Sequence, residues 1–289
     1  MDLPIQRVLR PRDLDEALRL LAADPAARPI AGGTDLVVQI RDGRKRVGVV
    51  VDLSALALAG IDVREGEVEI GAATHMDVIA SHPMIRREFP ALAEAAALVG
   101  AWPIQCRATL GGNLANASPA ADTAPPLLVA DAQLRLVSAA GGRTVPIDSF
   151  FTGPGANALS PGELISAVLL PRQRAQSAER VVERFAKVGP RREQIISVVS
   201  LAGRAELDGD GSLVTVRLAL GSVAPTPVRA YHAESCLQGR VPSDDLVREA
   251  ITALQDDIAP IDDVRAPASY RRIAAAVLLE RFLAEVGRG

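Results

Sequence analysis

Apolar residues recur along this chain at two different spacings, and the switches between them divide it. Leu14, Leu18 and Leu21 repeat at helical intervals behind Asp13, and Glu16 completes a capping-box form, so a helix is predicted to start here. Ala27 to Ile30 then reads as a strand, Thr34 to Arg41 as a helix and Gly48 to Leu53 as a second strand, which together make a small β-α-β unit. From Gly60 the period changes to two. Ile61 and Val63 alternate with polar residues, Arg64 to Gly66 turn, and Val68 and Ile70 resume the alternation. Beyond lie an alanine-rich helix from Pro90 to Val99, a helical Pro126 to Ala130, strands at Gln133 to Val137 and Arg143 to Pro146 around a Gly141-Gly142 turn, and a strand from Glu163 to Leu170.

The polar, proline-headed stretch from Pro171 to Ala178 is the predicted linker. After it, Val182 to Lys187, Ser197 to Glu206 and Leu213 to Gly221 read as three strands, the last two joined by Asp208-Gly209-Asp210-Gly211, and helices from Asp244 to Leu254 and Tyr270 to Val286 follow. The expected fold is therefore α+β. A first domain over 1–172, itself split near residue 55 into the β-α-β unit and a mixed α+β subdomain, precedes a second over 181–289 built on a three-stranded antiparallel sheet with helices. No internal repeat or low-complexity tract is evident.

Two glycine loops interrupt these patterns. One is Pro29-Ile30-Ala31-Gly32-Gly33-Thr34-Asp35-Leu36; the other is Ala108-Thr109-Leu110-Gly111-Gly112-Asn113, followed by Ser118-Pro119-Ala120-Ala121-Asp122. Adjacent glycines let a backbone approach a ligand and turn its N–H groups toward it, and the hydroxyl and amide side chains beside them can bond phosphate oxygens. A pair of such loops points to a dinucleotide, since a pyrophosphate carries two phosphoryl groups. Asp122 can accept from a ligand hydroxyl pair or can cap the helix after it. Gly153-Pro154-Gly155-Ala156-Asn157-Ala158 also has glycine-loop spacing, but no helix pattern follows it, so it is read as a surface loop. His75 and His82 lack a convincing third ligand for a metal.

Composition limits the alternatives. With 289 residues, 48% hydrophobic and 23% charged, the chain can bury a large core. A net charge of −3 gives no reason to expect nucleic acid, and the basic run from Arg41 to Arg46 is read as solvated surface. Cys106 and Cys236 are the only cysteines, too few for an iron–sulfur cluster in this chain. Met1-Asp2-Leu3-Pro4 lacks a leader pattern and no integral membrane segment is found, so the cytoplasm is the expected compartment.

In the two glycine loops, in Ala117-Ser118-Pro119 with Asp122, and in Phe185-Ala186-Lys187 before Arg191-Arg192, the chain resembles the FAD-binding medium subunit of molybdenum hydroxylases of the xanthine dehydrogenase and carbon monoxide dehydrogenase type. The resemblance covers nearly the whole length. It implies a two-part FAD-binding domain and a C-terminal flavoprotein domain. Ile30 through Leu36 and Thr109 through Asn113 would then wrap the pyrophosphate and ribityl region, Asp122 would contact the cofactor, and Lys187 would lie near the flavin. By alignment from Gly111, Val99 falls where the animal enzymes carry an aromatic and Ile165 where they carry a leucine, with Gly100, Ile104 and Leu164 beside them; Trp102 is an alternative ring contact. The implied partners are a subunit with two [2Fe–2S] clusters and a molybdopterin subunit, in a duplicated heterotrimer, with NAD, oxygen or a quinone-linked carrier as external acceptor. No catalytic residue beyond the flavin is assigned. A self-contained FAD oxidase and a flavin-free assembly protein are the rival readings, and the substrate of the complex is not legible in this chain.

Overall fold

The computed structural model describes residues 4–172, 178–191 and 194–288. Most of the expected linker, Arg192 of the Arg191-Arg192 pair and Met1 to Leu3 lie outside them.

The N-terminal unit is a three-stranded parallel sheet formed by β1 (Arg7–Leu9), β2 (Arg28–Ile30) and β3 (Val49–Asp52), with α1 (Leu14–Ala23) and α2 (Leu36–Arg41) in the connections. Its order is β1-β3-β2, so the buried Val49-Val50-Val51 run lies in the middle. The first strand has no counterpart in the sequence reading because three residues carry too little alternation to register. Asp13 caps α1 as expected, its Oδ1 accepting from the Glu16 N–H at 2.8 Å. Glu16 reaches back to the Arg12 N–H instead of that of Asp13.

The next unit runs through β4 (Ile61–Val63), β5 (Glu67–Gly71), α3 (Met76–Ser81), α4 (Pro83–Glu88), α5 (Pro90–Ala97), α6 (Trp102–Gln105), α7 (Leu110–Ala115), α8 (Ala124–Val129), β6 (Gln133–Ser138), β7 (Gly141–Pro146), β8 (Phe151–Gly153), β9 (Ala156–Asn157) and β10 (Leu164–Pro171). Five of its strands form an antiparallel sheet in the order β4-β5-β10-β6-β7. β10 is central, which explains its nearly unbroken apolar run. Helices α3, α4, α6 and α7 span six residues or fewer and escape any periodicity argument. Gly141, at φ +136°, begins β7, so the turn falls at Ala139-Ala140 and not at the glycine pair. The segment from Gly153 to Ala158, read as a loop, belongs to the β8–β9 hairpin with Gly155 at φ +70°.

The C-terminal unit comprises β11 (Arg180–Val188), β12 (Val199–Leu207), β13 (Leu213–Gly221), β14 (Val228–Arg229), α9 (Tyr231–Leu237), α10 (Asp244–Asp257) and α11 (Ala268–Val286). The three long antiparallel strands are those expected; the two-residue β14 adds a fourth at the edge. Ser243 caps α10 through the Leu246 N–H. Gly203 in β12 makes room for α11, since a Cβ there would meet the Phe282 ring at 2.7 Å. The sheet is fastened to α5 by two glutamates: the buried Glu183 accepts from the Ala91 N–H and pairs with Arg204 at 3.0 Å, and the half-buried Glu94 accepts from the Phe185 N–H. This fastening brings the start of β12 and the residues before α11 beside the two glycine loops.

Candidate functional site

A cleft of about 1410 Å³ runs between the N-terminal sheet, the mixed subdomain and the C-terminal sheet. The first glycine loop forms its floor at the turn from β2 into α2, with Pro29 through Leu36 all on its surface. Gly33 stands at φ +71°, a conformation in which any Cβ is strained. The backbone N–H groups of Gly32, Gly33 and Thr34 donate to no acceptor among the described residues. Unpaired amides in a cleft of this size are what a phosphate group would fill.

The second loop contributes differently from expectation. Gly111 donates its N–H to the Ala72 carbonyl at 2.8 Å, and Gly112 donates to Thr109 Oγ1 at 3.2 Å, so both amides are used inside the chain. Gly111 lies beneath the cleft, where a Cβ would fall 2.6 Å from that of Ala72; it is there so that α7 can pack. Ala108, Thr109, Gly112 and Asn113 do line the cleft. The Asn113 carbonyl oxygen accepts from the Thr123 hydroxyl at 2.6 Å, which leaves its NH2 group free to donate outward. The two loops touch directly, and a Cβ on Gly32 would stand 1.8 Å from the Arg107 carbonyl oxygen.

Val99, Gly100 and Ile104 give one wall an apolar surface. Leu164 and Ile165 do not reach the cleft: they sit in the central strand β10, buried in two separate clusters of the core. Trp102 is 66% exposed and lies off the cleft surface.

Asp122 neither caps α8 nor stands free. Thr123 occupies the cap position without a side-chain bond. The Asp122 carboxylate pairs with Lys187 Nζ at 2.7 Å and accepts from the Ser197 hydroxyl, while Lys187 also donates to the Leu98 carbonyl at 2.8 Å. Both side chains are less than a tenth exposed, so a buried ion pair ties β11 to the segment before α8. Burial pushes the Asp122 carboxyl above its ordinary range, against the opposing pull of Lys187 and Ser197.

Several cleft residues have no signal in the sequence. Gln39, Lys45 and Asn116 meet beside the first loop, and Ser222, Asp263, Arg265 and Arg271 arrive from the C-terminal unit. Pro154 and Gly155, at the tip of the hairpin dismissed as a loop, also line it, with the Gly155 N–H donating to the Ala117 carbonyl. Among the described residues no group of three His, Cys, Asp or Glu could hold a metal ion.

Two carboxylates on the rim are held in their charged form. Arg143 keeps Glu163 down at about 2. Burial opposes ionisation of Asp263, but the N–H groups of Arg265 and Ala266 and the Arg271 guanidinium outweigh it and hold it at about 2. Their stabilisation is present above the unfolded pKa and is lost as pH falls toward 2. Glu163→Gln is therefore expected to destabilise the chain at neutral pH and to flatten the loss between pH about 4.5 and about 2. Urea midpoints measured across that range check it.

Residues 4–173 match the family described as the FAD binding domain in molybdopterin dehydrogenase, and residues 184–286 match the CO dehydrogenase flavoprotein C-terminal domain. The xanthine dehydrogenase FAD-binding subunit of Escherichia coli O157:H7 is 36% identical over 279 residues, covering 96% of this chain and 94% of that protein. The nicotinate dehydrogenase FAD-subunit of Eubacterium barkeri is 30% identical over 282 residues, covering 96% and 94%. Among solved structures, carbon monoxide dehydrogenase from Hydrogenophaga pseudoflava superimposes with a TM-score of 0.92 at 28% identity, over 97% of this chain and 96% of that one.

Proposed function

The chain belongs to the FAD-binding subunits of molybdopterin-dependent dehydrogenases, and from that premise we propose that it is the electron-transfer flavoprotein of a heterotrimer, itself duplicated. It would take electrons from the [2Fe–2S] clusters of one partner subunit, reduced in turn by a molybdopterin subunit, and deliver them to NAD, oxygen or a quinone-linked acceptor in the cytoplasm. Two domains, 1–172 and 181–289, would enclose the cofactor between them. Among the described residues no helix is long and apolar enough to cross a membrane.

The observation that carries this reading is the pairing of unspent amides at Gly32, Gly33 and Thr34 with a second loop packed against them over one large cleft. FAD, when bound, supplies exchange of electrons singly or in pairs, which suits a junction between one-electron clusters and a two-electron acceptor. Gly32 to Thr34 would hold the pyrophosphate by backbone donors, with the Thr109 hydroxyl and the Asn113 amide added from the facing loop. Val99, Gly100 and Ile104 would exclude water from one side of the ring. The Lys187–Asp122 pair would fix the seam of the two domains under it.

Stopped-flow reduction of the flavin tests the assignment. With candidate aldehydes or N-heterocycles, the isolated chain should stay oxidised, and addition of the iron–sulfur and molybdenum subunits should bring fast reduction. Fast reduction of the chain alone would identify a self-contained oxidase instead.

A further inference from the structure

Gln39 lies outside both glycine loops, yet it connects what they depend on. Its Nε2 donates to Oδ2 of Asp35, the residue that directly follows Gly33-Thr34, and to Oδ1 of Asn116 at 3.2 Å. Asn116 ends α7, the helix that the second loop begins, and its own N–H donates to the Gly112 carbonyl at 3.1 Å. The Gln39 carbonyl accepts from Arg44 at 2.9 Å and from Lys45 at 3.1 Å, which holds the Lys45 turn on the cleft. One residue therefore joins the end of the first loop, the far end of the second loop's helix and the turn that carries Lys45.

We propose that Gln39 is a positioning residue for the dinucleotide, a strut that sets the spacing of the two glycine loops and turns the Asp35 carboxylate away from the phosphates. The inference rests on the reading of the cleft as the FAD site. A carboxylate beside a pyrophosphate repels it unless its charge is directed elsewhere, and an amide donor one helical turn along is placed to do that. The Gln39 NH2 group has two N–H donors, which lets it meet the Asp35 carboxylate and the Asn116 side-chain oxygen together without adding a charge of its own. FMN has one phosphate and no adenosine half, so it does not need the loops held at a fixed separation.

The test is titration of the deflavinated full chain with FAD and, separately, with FMN. Gln39→Leu should weaken FAD roughly tenfold, the size expected for a lost bond to a charged acceptor, while FMN affinity and the melting temperature of the deflavinated chain stay close to the parent's. Gln39→Glu should weaken FAD more, because two carboxylates then face each other. Combining it with Asp35→Asn exchanges donor and acceptor, and the Asn116 amide can rotate to donate, so the double variant should regain most of the lost affinity. Equal weakening of FAD and FMN, a fall in melting temperature that accounts for the loss, or no recovery in the double variant would each overturn the strut. Failure of the unsubstituted chain to bind FAD would count against the reading of the cleft and not against the strut.

Discussion

Gly32→Ala is expected to abolish retention of FAD while leaving a folded chain. The added methyl would stand 1.8 Å from the Arg107 carbonyl oxygen, and that oxygen belongs to backbone that leads into the second loop, so the two loops must separate. Gly33→Ala places its methyl 3.2 Å from Ile30 and costs mainly the strain of φ +71°, so its effect should be smaller. Gly43, at the same φ but with nothing within 4 Å of a Cβ, is the control: Gly43→Ala carries the backbone strain without moving a loop. Losing two amide bonds to a charged phosphate would cost about 3 kcal/mol or more, over roughly a hundredfold in affinity. Flavin content after gel filtration and a direct titration read this out. Wild-type affinity in Gly32→Ala would show that the meeting of the loops does not matter for binding.

Lys187→Met is expected to be the most destabilising single change at the seam of the two domains, by about 3–5 kcal/mol at neutral pH, because it leaves the Asp122 carboxylate buried with the Ser197 hydroxyl as its remaining polar contact. The sign of the pH dependence follows from burial. A carboxyl whose folded pKa lies above its unfolded value favours the folded state while protonated, and that contribution is lost as pH rises through the folded pKa. Removing Lys187 raises that pKa further, so the deficit of the variant should shrink as pH is lowered and grow as it is raised. Adding Asp122→Asn should recover much of the loss, and the four chains form a cycle whose coupling is read from urea midpoints. If Lys187→Met cost no more than a surface substitution, the pair would not be the fastening described.

The loops were legible in the sequence because close backbone approach restricts residue type. Gly32 admits no side chain against Arg107, and Gly33 takes a positive φ, so the backbone geometry is written into the letters themselves. The long strands and helices were legible for the usual reason, that one face is buried: Leu18 and Leu21 on α1 and the alternation of Val68 and Ile70 on β5 show it directly. What periodicity missed was short. The helices from Met76 to Ser81 and from Leu110 to Ala115 span less than two turns, and β14 has two residues. The wall of the cleft was harder, since alignment spacing placed Ile165 against the ring while its position in a central strand buries it in the core. Asp122 could be picked out but not assigned, because its partner Lys187 is far away in the chain. Arg271 reaches the cleft only through tertiary contacts, Gln39 lies one helical turn past the first loop but its contact with Asn116 is long-range, and the Gly155 tip arrives as a hairpin although its glycine spacing was visible.

The central claim is that the two loops together hold a pyrophosphate, and the identity of the flavin on the purified chain tests it most directly. Acid release followed by chromatography, with the protein quantified in parallel, is predicted to give FAD at close to one equivalent and no FMN. FMN at full occupancy would contradict the claim, since its single phosphate would leave one loop without a partner.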